Sequence, residues 1–183
     1  MVWSTACLQL GSASTTSIQW IKVVKQVSVE ELVLDPNQGM VLFKGIPFTG
    51  TSISNYPDGQ KAETIDYQEG RKQGQHIKWF QDGSKSFQAH YLDNKLQGEA
   101  YTWWRNGQVR SESHYVDGVG EGYQTQWYSS GATFKRIHLV NGQEQGLQQS
   151  WRENGKIYNN YEARNGRIFG LKRAKLCYEL ENE

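Results

Sequence analysis

The chain has 183 residues, with 20 basic and 19 acidic side chains, a formal net charge of +1 and a mean hydropathy of −0.75. A charge this close to zero creates no global field that would attract nucleic acid or an anionic membrane surface, which leaves only local patches. The two cysteines, Cys7 and Cys177, lie near opposite ends of the chain, which excludes a disulfide framework and matches no metal-ligand spacing.

Residues 1–28 are interpreted as a leader and N-terminal cap that is partly flexible. This stretch has no basic n-region and few apolar residues before Cys7, so the sequence as written predicts a cytoplasmic protein rather than a secreted or membrane-spanning one. Ser4 to Cys7, followed by a hydroxyl-rich run over residues 12–17, resembles the end of a lipoprotein signal. The alternative is a cell-envelope lipoprotein with Cys7 as the lipidation site, if the true start lies upstream.

Residues 18–29 are rich in β-branched side chains and predict either a first strand or a short amphipathic helix that covers the first edge of a sheet. The sheet itself is predicted over residues 29–183. It begins with a partial repeat, in which a turn-like segment at 35–39 separates two short apolar runs. A C-terminal cap from residue 171 is expected to close the last edge, since terminal repeats are usually atypical.

Three columns of glycine recur at a step of 24 residues and define a tandem repeat. The columns are Gly50, Gly74, Gly98, Gly122, Gly146 and Gly170; Gly59, Gly83, Gly107, Gly131 and Gly155; and Gly70, Asn94, Gly118, Gly142 and Gly166. Aromatics are 13% of the chain, so burial must come mostly from large amphipathic rings on polar strands. Residues 76–98 show one complete copy.

Each copy carries an Asp-Gly, Asn-Gly or Ser-Gly pair, as at Asp82-Gly83, and such pairs between alternating strands predict a two-residue type I′ hairpin turn. The predicted cross-strand partners are Phe80 with Lys85, Trp79 with Ser86 and Ile77 with Gln88. The glycine-rich segment after each hairpin, 67–74 in the first copy, is predicted to be a longer loop. The fold class is therefore an all-β, elongated, single-layer antiparallel meander of tandem 24-residue β-hairpin repeats.

The alternation of side chains predicts a column of tryptophans on one face of this sheet. The column consists of Trp79, Trp103, Trp127 and Trp151, with Arg110 and Arg136 interleaved and Glu112, His90, His114 and His138 on the same face. One interpretation is that the indoles only cover the sheet. The other is an exposed strip that binds a partner, since Trp, Tyr and Arg dominate interface hot spots.

The aromatic and glycine elements resemble the MORN-repeat variant, and in particular the bacterial YwqK family of antitoxins. The resemblance rests on Trp79-Phe80 to Gly83, Trp103-Trp104 to Gly107 and Trp127-Tyr128 to Gly131, together with Tyr67 to Gly74 and Tyr115 to Gly122, and it covers about residues 39–170. Asn94, Leu139, Ala163 and Arg152 depart from the pattern. The resemblance implies an elongated sheet of hairpins that binds a partner.

The sequence gives little support for a metal site, a nucleic-acid site or a catalytic site. His90, His114 and His138 share one repeat position, but equivalent strands of a meander lie about 9.6 Å apart, whereas zinc binds nitrogens at about 2.0–2.1 Å. We therefore expect no metal site and no cofactor. Alternating aromatics and arginines are able to stack single-stranded nucleic acid, but the near-zero net charge argues against it. No catalytic constellation recurs, so the chain is not expected to be an enzyme.

The sequence thus predicts a non-enzymatic protein-binding repeat module that resembles an antitoxin or immunity protein. The expected partner is a protein, for example a toxin. The alternative is a cell-envelope or membrane-surface scaffold, which is expected if Cys7 is lipidated.

Overall fold

The computed structural model describes residues 25–172, and these residues are almost entirely β-structure. The strands are β1 (Gln26–Ser28), β2 (Leu32–Asp35), β3 (Met40–Phe43), β4 (Ile46–Pro47), β5 (Gly50–Asn55), β6 (Lys61–Gln68), β7 (Arg71–Trp79), β8 (Lys85–Leu92), β9 (Lys95–Trp103), β10 (Val109–Val116), β11 (Val119–Gly120), β12 (Gly122–Trp127), β13 (Thr133–Val140), β14 (Gln143–Glu144), β15 (Gly146–Trp151), β16 (Ile157–Arg164) and β17 (Arg167–Leu171). A single 3₁₀ turn, Val29–Glu31, lies between β1 and β2. Over the same residues, no helix has the length and apolarity needed to cross a membrane.

Fourteen of these strands form one sheet in which neighbours in sequence are neighbours in space. The order is β1-β5-β6-β7-β8-β9-β10-β12-β13-β15-β16-β17, with β11 paired to β10 and β14 paired to β13. All pairs are antiparallel except β1 with β5. The predicted all-β meander of hairpins is confirmed. At about 4.8 Å per strand, a path of twelve strands is on the order of 50 Å across.

The N-terminal region contains two features that the repeat pattern alone does not give. β1 runs parallel to β5 and covers its free edge, so the strand alternative and the edge-covering role are confirmed for Gln26–Ser28. The partial repeat forms the predicted hairpin, but β2, β3 and β4 make a separate three-stranded sheet instead of joining the large one. Cys7, most of the leader, and the part of the C-terminal cap beyond residue 172 lie outside the described residues.

The turns at the Asp-Gly and Asn-Gly pairs differ from the predicted type I′ geometry. At Gln81 to Gly83, the Gly83 N–H donates to the Phe80 carbonyl at 2.9 Å and the Phe80 N–H donates to Ser84 at 2.8 Å, which makes a three-residue loop. Gly83 has φ of +83°, whereas Asp82 is absent from the residues with positive φ. This is a type I turn followed by a G1 bulge.

The bulge shifts the register by one residue near the turn. Trp79 therefore pairs with Lys85, and the predicted partners of Phe80 and Trp79 are wrong. Beyond the bulge, Ile77 pairs with Gln88 as predicted. The physical reason is local. The Asp82 carboxylate accepts the Ser84 N–H at 2.9 Å, and this bond stabilises an Asp with negative φ rather than the left-handed residue that a type I′ turn needs.

The tight type I′ turns occur instead where the sequence predicted longer loops. Asp93 and Asn94 both have positive φ, 49° and 65°, and link the directly paired residues Leu92 and Lys95. Asp117 and Gly118 repeat this arrangement one copy later, with φ of 51° and 83°. Asn tolerates the left-handed region better than other non-glycine residues, which explains how Asn94 replaces glycine without loss of the turn.

A buried row of paired side chains crosses the centre of the sheet. It runs through Val27, Ser52, Ile65, His76, Ala89 and Ala100, and continues in later copies with Gln124, Gln148 and Tyr161. The row mixes small apolar and polar side chains. It therefore relies on flanking rings, as where His76 packs against Phe87 at 5.0 Å and Tyr91 at 5.7 Å.

Consecutive copies are also joined by one recurring side-chain bond. The Tyr56 hydroxyl donates to the Trp79 carbonyl at 2.7 Å, and the Tyr128 hydroxyl donates to the Trp151 carbonyl at 2.9 Å. Between them, the Trp104 indole N–H donates to the Trp127 carbonyl at 3.0 Å. These three rings thus fix the backbone that carries Trp79, Trp127 and Trp151.

Candidate functional site

The four tryptophans of the column share the face opposite the buried row. Trp127 ends β12 on the same side as Thr125, which pairs with Glu112 and Arg136. Trp79, Trp103, Trp127 and Trp151 are all half-buried, so their indoles contact the sheet and also face solvent. Half-burial is compatible with both interpretations of the column.

The second half of this face forms an open groove of about 780 Å³, which we call the tryptophan groove. It is lined by Glu99, Glu112, His114, Glu121, Gly122, Tyr123, Thr125, Trp127, Thr133, Arg136 and Trp151. Strands β9, β10, β12, β13 and β15 supply these residues, except Glu121, which lies between β11 and β12. Three of the six residues predicted to bind a partner, Trp127, Trp151 and Arg136, meet in it.

Acidic side chains occupy one wall of the groove. Glu112 accepts a hydrogen bond from the Tyr101 hydroxyl at 3.1 Å. Burial, and then this bond, raise the pKa of Tyr101, which keeps the hydroxyl protonated and donating. Glu99 lies 2.7 Å from His114 Nδ1. Glu121 accepts the Asn141 N–H at 2.8 Å, which anchors its carboxylate at the rim.

Aromatic and cationic groups occupy the rest of the groove. The Arg136 guanidinium stacks over the Tyr123 ring at 4.2 Å, and Tyr123 also packs edge-on against His138 at 4.8 Å. Tyr123 remains 55% exposed. A ring this exposed that already stacks a guanidinium shows that the groove presents aromatic surface to cations.

Arg110 is placed differently from Arg136. A register shift lies between Val109 and Ser111, so Arg110 sits in the bulge. Its guanidinium stacks on Trp104 at 4.6 Å, and Arg110 does not line the groove. Its equivalent one copy later, Phe134, likewise packs on Tyr128 at 5.1 Å.

The first two tryptophans of the column lie outside the groove and have stacking partners within the chain. Lys61 Nζ lies 5.4 Å from the Trp79 ring centroid. Trp103 packs against Tyr101 at 5.9 Å. The column predicted as one strip therefore has two halves. Trp79 and Trp103 stack against other residues of the chain, whereas Trp127 and Trp151 line the groove.

The repeated histidines have separate roles. His114 contacts Glu99, His138 contacts Tyr123 and the Gln145 carbonyl, and His90 is exposed. Between residues 25 and 172, no group of three His, Cys, Asp or Glu side chains is arranged to hold a metal ion.

The sequence interpretation did not single out Glu99, Glu121, Tyr123 or Thr133 in the groove. Glu99 pairs with His114, so strand register places it on the tryptophan face. Strict alternation from Trp127 also places Tyr123 there. The alternation of side chains does not predict the position of Glu121, because Glu121 lies in the break between β11 and β12.

Comparison with known proteins identifies the repeat. Residues 96–117, which comprise most of the β9–β10 hairpin, match the family described as MORN repeat variant. This match supports a MORN-repeat protein, and MORN repeats suggest a module that binds other molecules. No curated protein matches the chain.

One solved structure with some likeness is a crystal structure of a mutant of S. aureus TarM in complex with fondaparinux, alpha-GlcNAc-glycerol and UDP. The identity is 16% and the TM-score is 0.32, over 63% of this chain. The chain spans 21% of the length of that structure. A likeness this weak carries no argument about fold or function.

Proposed function

We propose that the chain is a non-enzymatic, protein-binding repeat sheet that holds its partner in the tryptophan groove and neutralises it by covering it, as an antitoxin or immunity protein does. The observation that carries the proposal is the groove itself. It gathers Trp127, Trp151, Tyr123 and Arg136 on one open surface.

The composition of the groove supports a protein partner. Trp, Tyr and Arg are the residue types that dominate protein–protein hot spots. The backbone that carries Trp127 and Trp151 is held in place, because their main-chain carbonyls accept bonds from Trp104 and Tyr128 of the preceding copies. A backbone preorganised in this way loses little conformational entropy when a partner docks.

The test is affinity capture from the native host with the full chain as bait. We expect one protein partner to be recovered by the wild type and lost with Trp127→Ala and with Tyr123→Ala. Phe169→Ala is the matched control, because Phe169 is 54% exposed, close to the 55% of Tyr123, but lies on the terminal hairpin outside the groove. Recovery of no protein, or equal loss with Phe169→Ala, contradicts the proposal.

Neutralisation is tested separately by co-expression. The captured partner is produced alone, with the wild-type chain and with Trp127→Ala, and growth of the host cells is followed. We expect the partner alone to arrest growth, the wild type to restore it and Trp127→Ala to fail to restore it. If the partner alone does not affect growth, the antitoxin role is contradicted, although the chain still binds its partner.

A further inference from the structure

We propose that the tryptophan groove is built for a basic segment of the partner, with a lysine or arginine side chain laid on Trp127 or Trp151 and its charge directed at Glu112 and its neighbours. This inference rests on the proposed function and adds the chemistry of the partner. Three observations on the same surface carry it.

The first observation is the balance of charge in the groove. Its lining contains the three carboxylates Glu99, Glu112 and Glu121 against one guanidinium, that of Arg136. The guanidinium is already stacked on Tyr123 at 4.2 Å. The surface that remains therefore favours a cation over an anion.

The second observation is that the two tryptophans of the groove lack stacking partners. Within residues 25–172, Trp79 has Lys61 and Trp103 has Tyr101, but no ring or basic group stacks on Trp127 or Trp151. Both indoles are half-buried and border the groove. Indole is the aromatic surface that attracts cations most strongly.

The third observation comes from comparing the copies. The lysine that lies over Trp79 is Lys61, 18 positions earlier in the chain. The equivalent residue for Trp103 is Lys85, which donates to Gln88 at 2.9 Å and does not lie over the indole. For Trp127 it is Val109 and for Trp151 it is Thr133, so these copies have no lysine there at all. The directly paired residue changes in the same way. Trp79 pairs with Lys85, whereas Trp127 pairs with Thr133 and Trp151 with Ile157.

Over residues 25–172, the chain thus places a cation over the first tryptophan of the column and none over the last two, where carboxylates gather instead. A cation on the partner makes with Trp127 or Trp151 the contact that Lys61 makes with Trp79. The extended groove crosses several strands, which suits a segment of chain rather than a single small ion.

The same comparison provides the test. Thr133→Lys and Val109→Lys place a lysine where Lys61 lies relative to Trp79, so each variant is expected to occupy the groove from within. Val140→Lys is the matched control, because it adds the same charge at an exposed position outside the groove. For the carboxylates, Glu112→Gln is compared with Glu153→Gln, an exposed glutamate outside the groove.

The probe is a fluorescent peptide of alternating lysine and glycine, with a glutamate version as the charge-reversed control, and binding is followed by anisotropy at about 50 and about 500 mM salt. We expect the lysine peptide to bind and to weaken at high salt. Thr133→Lys, Val109→Lys and Glu112→Gln should each reduce its affinity about tenfold. Both control variants should bind it as the wild type does.

Equal binding of the glutamate peptide, or binding unchanged by Thr133→Lys, Val109→Lys and Glu112→Gln, overturns the inference. The proposed function is judged on the native partner. If capture of that partner needs Trp127 but is insensitive to Thr133→Lys and to salt, the proposed function stands and this inference fails. If no partner is captured while the lysine peptide still binds in the groove, the cation chemistry stands and the proposed function fails.

Discussion

At the scale of single residues, the strands of two later copies are split where one repeat position holds a glutamine. The position holds Ser52, His76, Ala100, Gln124 and Gln148. With His76 or Ala100 the strand is continuous, as in β7 and β9, whereas with Gln124 or Gln148 it is split, as in β11 and β12 or β14 and β15. The glutamine amide satisfies backbone groups that the split leaves without a strand partner.

Gln148 makes the most bonds of this kind and is fully buried. Its Nε2 donates to the carbonyls of His138, Gln145 and Gly146 at 3.0 to 3.2 Å, and its Oε1 accepts the His138 N–H at 3.0 Å. We expect Gln148→Ala to lower the free energy of unfolding by about 2 kcal/mol, because buried backbone groups lose their partners. Urea denaturation measures this.

Gln149→Ala serves as the control for this prediction. Gln149 is the next residue along, on the opposite face, and its amide bonds only to Asn160 in an exposed position. We expect its effect to stay within about 0.5 kcal/mol. Equal losses for Gln148→Ala and Gln149→Ala would show that the buried bonds of Gln148 contribute no special stability.

His76 predicts a pH dependence. Burial, opposed by the hydrogen bond to Glu63, lowers the pKa of His76 below its ordinary value of 6.5. The Nε2 atom lies 2.7 Å from Glu63, while the buried Nδ1 has no hydrogen-bond partner among the described residues and would have to carry the added proton. The unfolded chain therefore binds this proton more readily than the folded chain.

The sign of the effect follows from linkage. As the pH falls through about 6.5, the unfolded state gains a proton that the folded state resists, so stability falls. We expect the melting temperature to drop between about pH 7.5 and 5.5 by more in the wild type than in His76→Gln, which carries the glutamine of later copies. Parallel curves for the two proteins over this range would contradict the role given to His76.

At the scale of the hairpin, three copies are joined to the next by a hydrogen-bond donor on an aromatic ring. Tyr56, Trp104 and Tyr128 provide it by bonding to the backbone carbonyl at the next tryptophan of the column. Phe80 occupies the same repeat position but has no group to donate. The second hairpin of the series is therefore joined to the third without this bond.

Two substitutions test the contribution of this hydrogen bond to stability, one by removing it and one by adding it. We expect Tyr128→Phe to lower the free energy of unfolding by about 1 kcal/mol and Phe80→Tyr to raise it by up to about 1 kcal/mol, the typical net value of one hydrogen bond. Denaturant midpoints at constant slope measure both. Tyr123→Phe is the control, because the Tyr123 ring stacks on Arg136 and His138 without a bond from its hydroxyl. A midpoint for Tyr128→Phe equal to that of Tyr123→Phe would refute the prediction.

At the scale of the whole molecule, the large sheet is a one-dimensional array. Each strand contacts the strands beside it in the order of the chain. The small sheet β2-β3-β4 at the N-terminal end lies outside this array. It is joined to the large sheet near β6 and β7, where Phe48 packs against Tyr67 at 5.8 Å and the Val41 N–H donates to the Gly70 carbonyl at 2.8 Å. Stability in such an array is approximately a sum over copies and their interfaces.

An array of this kind responds locally to a local change. We expect Gln148→Ala to speed amide hydrogen exchange in β12 to β16 and to leave β6 to β8 unchanged under native conditions, because local opening there does not need the whole sheet to unfold. Exchange followed by mass spectrometry on peptides from both ends measures this. A uniform increase along the chain would show that the sheet unfolds as a single cooperative unit.

The sequence by itself determined the architecture, since a step of 24 residues in three glycine columns and the alternation of rings leave little besides a meander of hairpins. It also placed all four tryptophans in one column, because parity along a strand is fixed by backbone geometry. It assigned the two kinds of turn the wrong way round. Asp-Gly is compatible with more than one hairpin turn, and the choice at Asp82 depends on the bond to Ser84.

Only the tertiary structure decided which part of the column lines the groove. The bulge between Val109 and Ser111 places Arg110 on Trp104, whereas Arg136 lies in the regular ladder opposite Thr125 and lines the groove. A bulge of this kind is a product of the turn rather than of the strand pattern. Glu99 and Glu112 come from the β9–β10 hairpin and Glu121 from the next copy, and the three line one groove because neighbouring strands pair. The periodic pattern reports one strand at a time, whereas the groove arises from the spacing between strands.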